Sequence, residues 1–253
     1  MFESTALLLG STGIFCFLVG ILIGICGVGG ILIIPFLVYV AGIDIHTVIP
    51  ACMAGFAFAA IFAVYAYARQ GSIRWDKAIF LIAGAAPGAY LGSITLQILS
   101  ALVLETIVAA LVITSGIRAL RRNASKSSGL GIDRTPGSVL VVVGFLVGYG
   151  SSVSGTGGPL LLVPTLLLLD FPILSAVGLS MAIQIPISPF ATLGHVIHGS
   201  VNWLLAIPIG IGVAAGITLG AIVAHQITPL SMQRTVAVVL LISGGLIVIR
   251  LLI

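Results

Sequence analysis

Two glycine-rich segments contain the residues whose types and spacing best suit ligand binding. The first reads GICGVGG at 24–30 and is followed by Pro35, and the second reads GSSVSGTGGP at 150–159 and is followed by Pro164. Glycine permits non-helical backbone and lets a ligand approach the chain closely. A helix that restarts after such a turn presents free N–H groups and a positive dipole end. The two turns therefore predict an anion site that needs no buried Lys or Arg.

The candidate binding residues in these turns are glycines and hydroxyl side chains. The alternative interpretation is tight helix packing by small residues. In the first turn the candidates are Gly27, Gly29 and Gly30, and in the second they are Ser151, Ser152, Ser154, Gly155, Thr156, Gly157 and Gly158.

A polar stripe follows the second turn. Ser180, Gln184, Ser188 and Thr192 are spaced four residues apart, so they share one helix face. We assign Gln184 to the binding site and the other three to the lining of a pathway; interhelical hydrogen bonding is the alternative. Two prolines, at 186 and 189, predict a kink or a break in this helix.

His195 and His198, near the end of the segment that carries this stripe, suggest either a proton relay or a structural or interfacial role. Ser154 with His195 or His198 also resembles part of a serine hydrolase, but the GxSG element of an intramembrane serine protease would need glycine where Ser152 stands. No charged residue is placed to orient either histidine. We therefore expect a non-enzyme without metal or cofactor.

These residues must be positioned by membrane helices, because 60% of the 253 residues are hydrophobic and only 6% are charged. A soluble domain carries about 25% charged residues. The basic residues lie between apolar segments, so no nucleic-acid partner is expected. Ten apolar segments are predicted, of which 29–41, 137–151 and 158–169 are short for a full span of about 20 residues. They are 5–26, 29–41, 47–68, 78–97, 102–120, 137–151, 158–169, 174–198, 204–224 and 230–252.

The basic residues predict the orientation. Nine of the ten Lys and Arg residues fall in or beside three loops, near 69–77, 118–134 and 234. The positive-inside rule places these loops in the cytoplasm and both termini outside. Because a hairpin causes no net crossing, this orientation leaves open whether 5–41 and 137–169 are hairpins or pairs of full spans.

An internal repeat relates the two halves at an offset of about 128 residues. The glycine turns match, GSIRW at 71–75 matches GSVNW at 199–203, and Gly88 and Gly92 match Gly216 and Gly220. With five segments in each half, the second repeat must be inverted, an arrangement typical of secondary transporters. We predict an all-α polytopic protein with a first repeat at 1–120, a cytoplasmic linker at 121–136 and a second repeat at 137–253. Duplication that merely enlarged a helix bundle is the alternative.

The doubled glycine turn, the prolines after it and the repeated GS-x-x-W loop resemble the TauE/SafE family of membrane transporters. The resemblance extends from Gly20 to about Gly245, through GICGVGGILIIP and SSVSGTGGPLLLVP. It implies a plasma-membrane carrier that exports sulfite or a related sulfur oxyanion or organosulfonate by alternating access. An anion channel is the alternative within transport. The coupling ion, a proton or sodium, stays open, as does a homo-oligomer.

Overall fold

Long apolar runs and well-placed caps produce a fold that is all-helical in the described residues. The computed structural model describes residues 2–95, 113–114, 117, 130–199 and 201–252. The predicted segment 102–120 and most of the predicted linker 121–136 therefore lie outside the described residues. The helices are α1 (Phe2–Cys26), α2 (Gly30–Val40), α3 (Ile45–Arg69), α4 (Trp75–Thr95), α5 (Leu130–Arg134), α6 (Gly137–Ser154), α7 (Pro159–Leu168), α8 (Ile173–His198), α9 (Trp203–Gln226) and α10 (Pro229–Leu252).

Local chemistry fixes several helix ends. The carboxylate of Asp44 accepts the N–H of His46 before α3, and the amide oxygen of Asn202 accepts the N–H of Leu205 at the start of α9. Both side chains satisfy N–H groups that have no partner within the helix. Gly155 ends α6 in the left-handed conformation, which glycine adopts without a steric penalty.

Six of the described helices are long and apolar enough to cross a membrane: the Leu9–Cys26 part of α1, and α3, α4, α6, α8 and α9 in full. This confirms the predicted multi-pass α-helical membrane protein. The short segments 29–41 and 158–169 are the short helices α2 and α7. The 137–151 segment extends to Ser154 as α6 and reaches spanning length.

Of the predicted kink or break in the 174–198 segment, the break does not occur. Helix α8 continues from Ile173 to His198 through Pro186 and Pro189. Each proline removes one backbone hydrogen bond, but a helix that is packed among other membrane helices tolerates this loss.

Glycines bring the long helices into backbone contact. A methyl group added to Gly84 of α4 would clash with the carbonyl oxygen of Val141 in α6, and one added to Gly24 of α1 would lie 2.8 Å from the Cα of Gly220 in α9. Helix α1 packs along α9, and α4 packs along α6. Helices α3 and α8 pack on each other, α3 also on α9 and α8 also on α4.

The contacts also give the directions of the helices. The end of α3 lies beside the ends of α1 and α9, through Tyr67 and Gly24 and through Ser72 and His225. Helix α4 runs parallel to α6 and α8, because Gly84 and Gly92 meet successive turns of α6 and Ser93 meets Gly194 of α8. Helices α1, α3 and α9 thus point one way, and α4, α6 and α8 point the other way.

One end of this bundle collects the described basic side chains, and we call it the basic end; the other is the far end. Lys77 donates to the carbonyl oxygen of Thr135 at 3.2 Å. Arg74 pairs with Asp76 at 2.9 Å and with Asp133 at 3.7 Å, and the hydrogen bonds that its guanidinium donates to the Asp76 carboxylate raise the pKa of Arg74 above its usual value. The described basic residues of this end are Arg69, Arg74, Lys77, Arg134 and Arg234.

Candidate functional site

The two glycine turns meet inside the bundle. A methyl group on Gly30 would lie 2.8 Å from the carbonyl oxygen of Thr156 and 3.2 Å from the ring of Phe56. A methyl group on Gly157 would lie 2.9 Å from the same ring and 3.2 Å from the amide nitrogen of Gln184. Phe56 and Gln184 each lie near the middle of a long helix, α3 and α8. The contact between the turns is therefore far from both ends of the bundle.

Glycine is required in the second turn for conformational reasons. Gly155, Gly157 and Gly158 have φ values of 69°, 80° and 98°, which side-chain-bearing residues rarely adopt. Pro159 then begins α7 at the first helical position, where its missing N–H costs nothing. The backbone N–H groups of Gly157 and Gly158 donate to no acceptor among the described residues. They can serve an anion at the positive end of α7.

The two turns also have matching surroundings. Gly27, with φ 72°, packs against Val163 and Val177, and Gly155, with φ 69°, packs against Ile34 and Ile49. Val177 lies 128 residues after Ile49, which is the offset of the repeat. Each turn thus contacts the short helix and the long helix of the opposite half.

Several predicted polar residues of the site are fully buried without partners. The hydroxyls of Ser151, Ser152 and Ser188 and the amide oxygen of Gln184 have no hydrogen-bond partner among the described residues. All four side chains are at most 1% exposed. An unpaired buried polar atom costs about 1–3 kcal/mol, so these atoms are available to a ligand or to water.

The remaining predicted hydroxyls are satisfied locally. Ser180 and Thr192 donate to carbonyl oxygens of their own helix at 2.7 Å. Ser180 still faces the first turn, since its hydroxyl would lie 3.2 Å from a methyl group on Gly27. Ser154 shares a 2.8 Å hydrogen bond with Thr156. That bond joins Ser154 to another hydroxyl and not to a histidine, so it gives no support to the serine hydrolase alternative.

The predicted site residues therefore divide into three groups. Gly30, Thr156, Gly157 and Gln184 are brought together at the meeting of the turns, with Gly155 and Gly158 directly beside them. Gly27 and Ser180 form a second contact along the first turn. Gly29 instead packs back against Val19 and Ile23 of the preceding helix, α1.

Phe56 is the residue at this site that sequence reasoning missed. It is 1% exposed and contacts both turns. The available signal was the repeat itself, because Phe56 lies 128 residues before Gln184. An aromatic residue among many apolar ones is otherwise indistinguishable from a core residue.

Comparison with known proteins agrees with this architecture. The sulfite exporter TauE/SafE family model matches residues 12–247. YdhB of Bacillus subtilis (strain 168), a probable membrane transporter protein, is 27% identical over 210 residues, which cover 81% of this chain and 86% of YdhB. A probable membrane transporter protein of Xylella fastidiosa (strain Temecula1 / ATCC 700964) is 28% identical, with 89% and 87% covered. YunE of Bacillus subtilis (strain 168), also a probable membrane transporter protein, is 26% identical, with 92% and 93% covered.

No solved structure matches the chain. The family model spans both glycine turns, all six membrane-crossing helices and the polar stripe of α8. On this match, the chain belongs to the sulfite exporter TauE/SafE family.

Proposed function

We propose that this protein is a secondary transporter that exports a small anion, with sulfite or a related sulfur oxyanion or organosulfonate as the substrate class. The observation that carries the proposal is the meeting of the two glycine turns beside Gln184 at mid-bundle. The relatives, as probable membrane transporter proteins, support the transport function. The family description supports the substrate class.

The anion binds between the turns through neutral donors. The N–H groups of Gly157 and Gly158 lie at the start of α7. The hydroxyl of Thr156, with Ser154 as donor in their shared hydrogen bond, and the amide nitrogen of Gln184 add two further donors. Preorganised N–H groups and helix dipoles stabilise an oxyanion without a formal positive charge. A site without Lys or Arg binds the anion less tightly, which suits a carrier that must release it.

Alternating access in this proposal comes from two inverted repeats, 1–120 and 137–253, joined by the cytoplasmic linker 121–136. The helix packing supports it. The packing of α1 on α9 in one half corresponds to the packing of α6 on α4, and the packing of α3 on α9 corresponds to that of α8 on α4. Helices α3 and α8 are equivalent helices of the two halves, so their mutual contact is unchanged when the halves are exchanged. Exchanging the halves thus reproduces the packing scheme, as expected for a pseudo-two-fold axis through the site.

The basic end is the cytoplasmic side in this proposal. Five described Lys and Arg residues gather there, and the positive-inside rule assigns such an end to the cytoplasm. The protein then lies in the plasma membrane with both termini outside. Either a proton or sodium couples the cycle.

Counterflow in proteoliposomes tests the proposal. Vesicles containing purified protein are preloaded with unlabelled sulfite, sulfate, thiosulfate or taurine, and uptake of the labelled solute is followed. We expect saturable exchange of at least one of these solutes, and a raised KM in Gln184→Ala. Thr192→Val, which alters the same helix away from the turns, should keep the KM of the unchanged protein.

Absence of exchange for every solute under proton and sodium gradients would overturn the proposal. Single-channel currents far above carrier rates would instead identify an anion channel. Equal KM values for the Gln184 and Thr192 variants would remove Gln184 from the site.

A further inference from the structure

Unpaired polar atoms are concentrated in the far half of the bundle. Among the described residues, six buried side chains there carry an atom without a hydrogen-bond partner: Thr12 on α1, and five on α6 and α8. Helix α8 contributes three of them at positions i, i+4 and i+11, which share one face at 3.6 residues per turn. The five on α6 and α8 are the hydroxyls of Ser151 and Ser152 on α6, and the Gln184 amide oxygen, the Ser188 hydroxyl and His195 Nε2 on α8.

Helix α4 joins the two sets. A methyl group added to Gly92 of α4 would lie 3.0 Å from the Cβ of Ser152, and the next residue, Ser93, contacts Gly194 of α8. Ser152 and His195 therefore flank the same turn of α4. We call the five groups on α6 and α8 the polar line: along one face of α8 they extend from Gln184, at the meeting of the glycine turns, to His195.

Among the described residues, the basic half shows no such line. The residues 128 positions before Gln184, Ser188 and His195 are Phe56, Ala60 and Tyr67. Two of these are apolar, and the Tyr67 hydroxyl donates to the Gly24 carbonyl oxygen at 2.5 Å. The unpaired polar line is therefore a property of the far half and not of the shared helix packing.

Polar side chains inside a membrane protein face cavities and pathways, since lipid cannot satisfy them. His195 is 5% exposed. Its Nε2 has no hydrogen-bond partner among the described residues, and a buried imidazolium without a partner would carry a large desolvation cost. Protonation of Nε2 thus requires water to enter the line.

The helices packed against α8 bring few titratable groups to this half. Helix α4 brings Tyr90, whose ring lies 6.5 Å from that of His198 at the next turn of α8, and α6 brings Tyr149, which accepts from Thr95 at 3.0 Å. Helix α3 begins with Asp44 and His46, which are not buried. Helix α7 and the described side chains of α10 in this half bring none. No described carboxylate or basic side chain therefore competes with His195 inside the line.

We propose that His195 is a proton-binding site whose protonation opens the far half of the pathway to water. Its Nε2 takes a proton from water on the far side to form an imidazolium, and returns it when the line closes and excludes water. The closed state favours the neutral ring and the open state the charged ring, so protonation and opening promote each other. This inference rests on the proposed function, and it identifies the coupling ion as a proton.

The test is thiol labelling from the far side, which needs no substrate. Ser188→Cys is introduced into a protein whose Cys16, Cys26 and Cys52 are replaced by alanine, and a membrane-impermeant thiol reagent is added at about pH 5.5 and about pH 7.5, on either side of the usual histidine pKa. Gly199→Cys, at an exposed position in the far-end loop, reports intrinsic thiol reactivity. Because the thiolate is the reactive form, reactivity alone falls as the pH falls.

We divide the labelling rate of Ser188→Cys by that of the reference cysteine and expect this ratio to be about fivefold or more higher at the lower pH than at the higher one. A fivefold change is the lower end of usual coupling between two sites. His195→Gln should abolish this pH dependence, and His198→Gln should keep it. Ser152→Cys provides the same readout if the Ser188 variant does not fold. Lack of labelling at both positions, pH-independent labelling, or an unchanged pH dependence in His195→Gln would each overturn the proposal. Counterflow that persists alongside such results would leave the transport function standing.

Discussion

Substitution of Gly157 by alanine separates close approach at the site from backbone strain. Gly157 has φ 80° and meets Phe56 and Gln184, whereas Gly42 has φ 66° and no heavy atom within 4 Å of an added methyl group. Left-handed backbone costs about 1–2 kcal/mol for a residue with a side chain. Gly157→Ala and Gly42→Ala therefore share the strain, and only the first closes the space beside the site.

The size of the effect on transport follows from the hydrogen bond that is lost. A hydrogen bond to a charged group contributes about 1.5–3 kcal/mol. Displacement of the Gly157 N–H from the anion should thus lower the ratio of maximal rate to KM by about 10- to 150-fold, at 1.4 kcal/mol per factor of ten. Gly42→Ala should keep the ratio of the unchanged protein.

The assay is initial-rate counterflow with both variants reconstituted at equal density, together with thermal unfolding in detergent. We expect both to lose similar stability and only Gly157→Ala to lose transport. Transport by Gly157→Ala with unchanged KM and maximal rate would refute the close-approach argument. An equal transport loss in Gly42→Ala would show that strain alone is responsible.

Three further substitutions test the packing. Gly84→Ala should destabilise the protein by about 1–3 kcal/mol, because its methyl group would clash with the Val141 carbonyl oxygen of α6, whereas the methyl group of Gly10→Ala has no described atom within 4 Å. Equal thermal unfolding of the two variants would contradict this contact. Tyr67→Phe should cost about 1 kcal/mol through loss of its bond to the Gly24 carbonyl, and unchanged unfolding would argue against the bond. Asn202→Ala should cost about 1 kcal/mol as a lost helix cap, whereas Asn202→Ser should recover most of it.

Much of the fold follows from local sequence. Apolar segment lengths predict the spanning helices. The short segments that contain Pro35 and Pro164 correspond to α2 and α7, because a glycine turn interrupts the apolar run before each of them. The break predicted as one alternative in α8 does not occur. Local propensity penalises Pro186 and Pro189, but the packing of α8 against α3 and α4 outweighs this penalty.

The candidate site was predictable only in part. Glycine and hydroxyl patterns identify the turns, because the backbone conformation there depends on residue type. That Gly30 meets Thr156, and that Phe56 stands between the turns, depends on how α3 and α8 cross. Likewise, local sequence does not distinguish Ser180, which is satisfied by its own helix, from Ser188, which is not.

The central claim is that a small anion binds where the two glycine turns meet. Anomalous diffraction from crystals grown with a selenium oxyanion, such as selenite or selenate, tests it most directly. We predict a selenium peak within hydrogen-bond reach of the Gly157 and Gly158 N–H groups and of Gln184. A single peak elsewhere, such as beside Arg134 at the basic end, would contradict the claim.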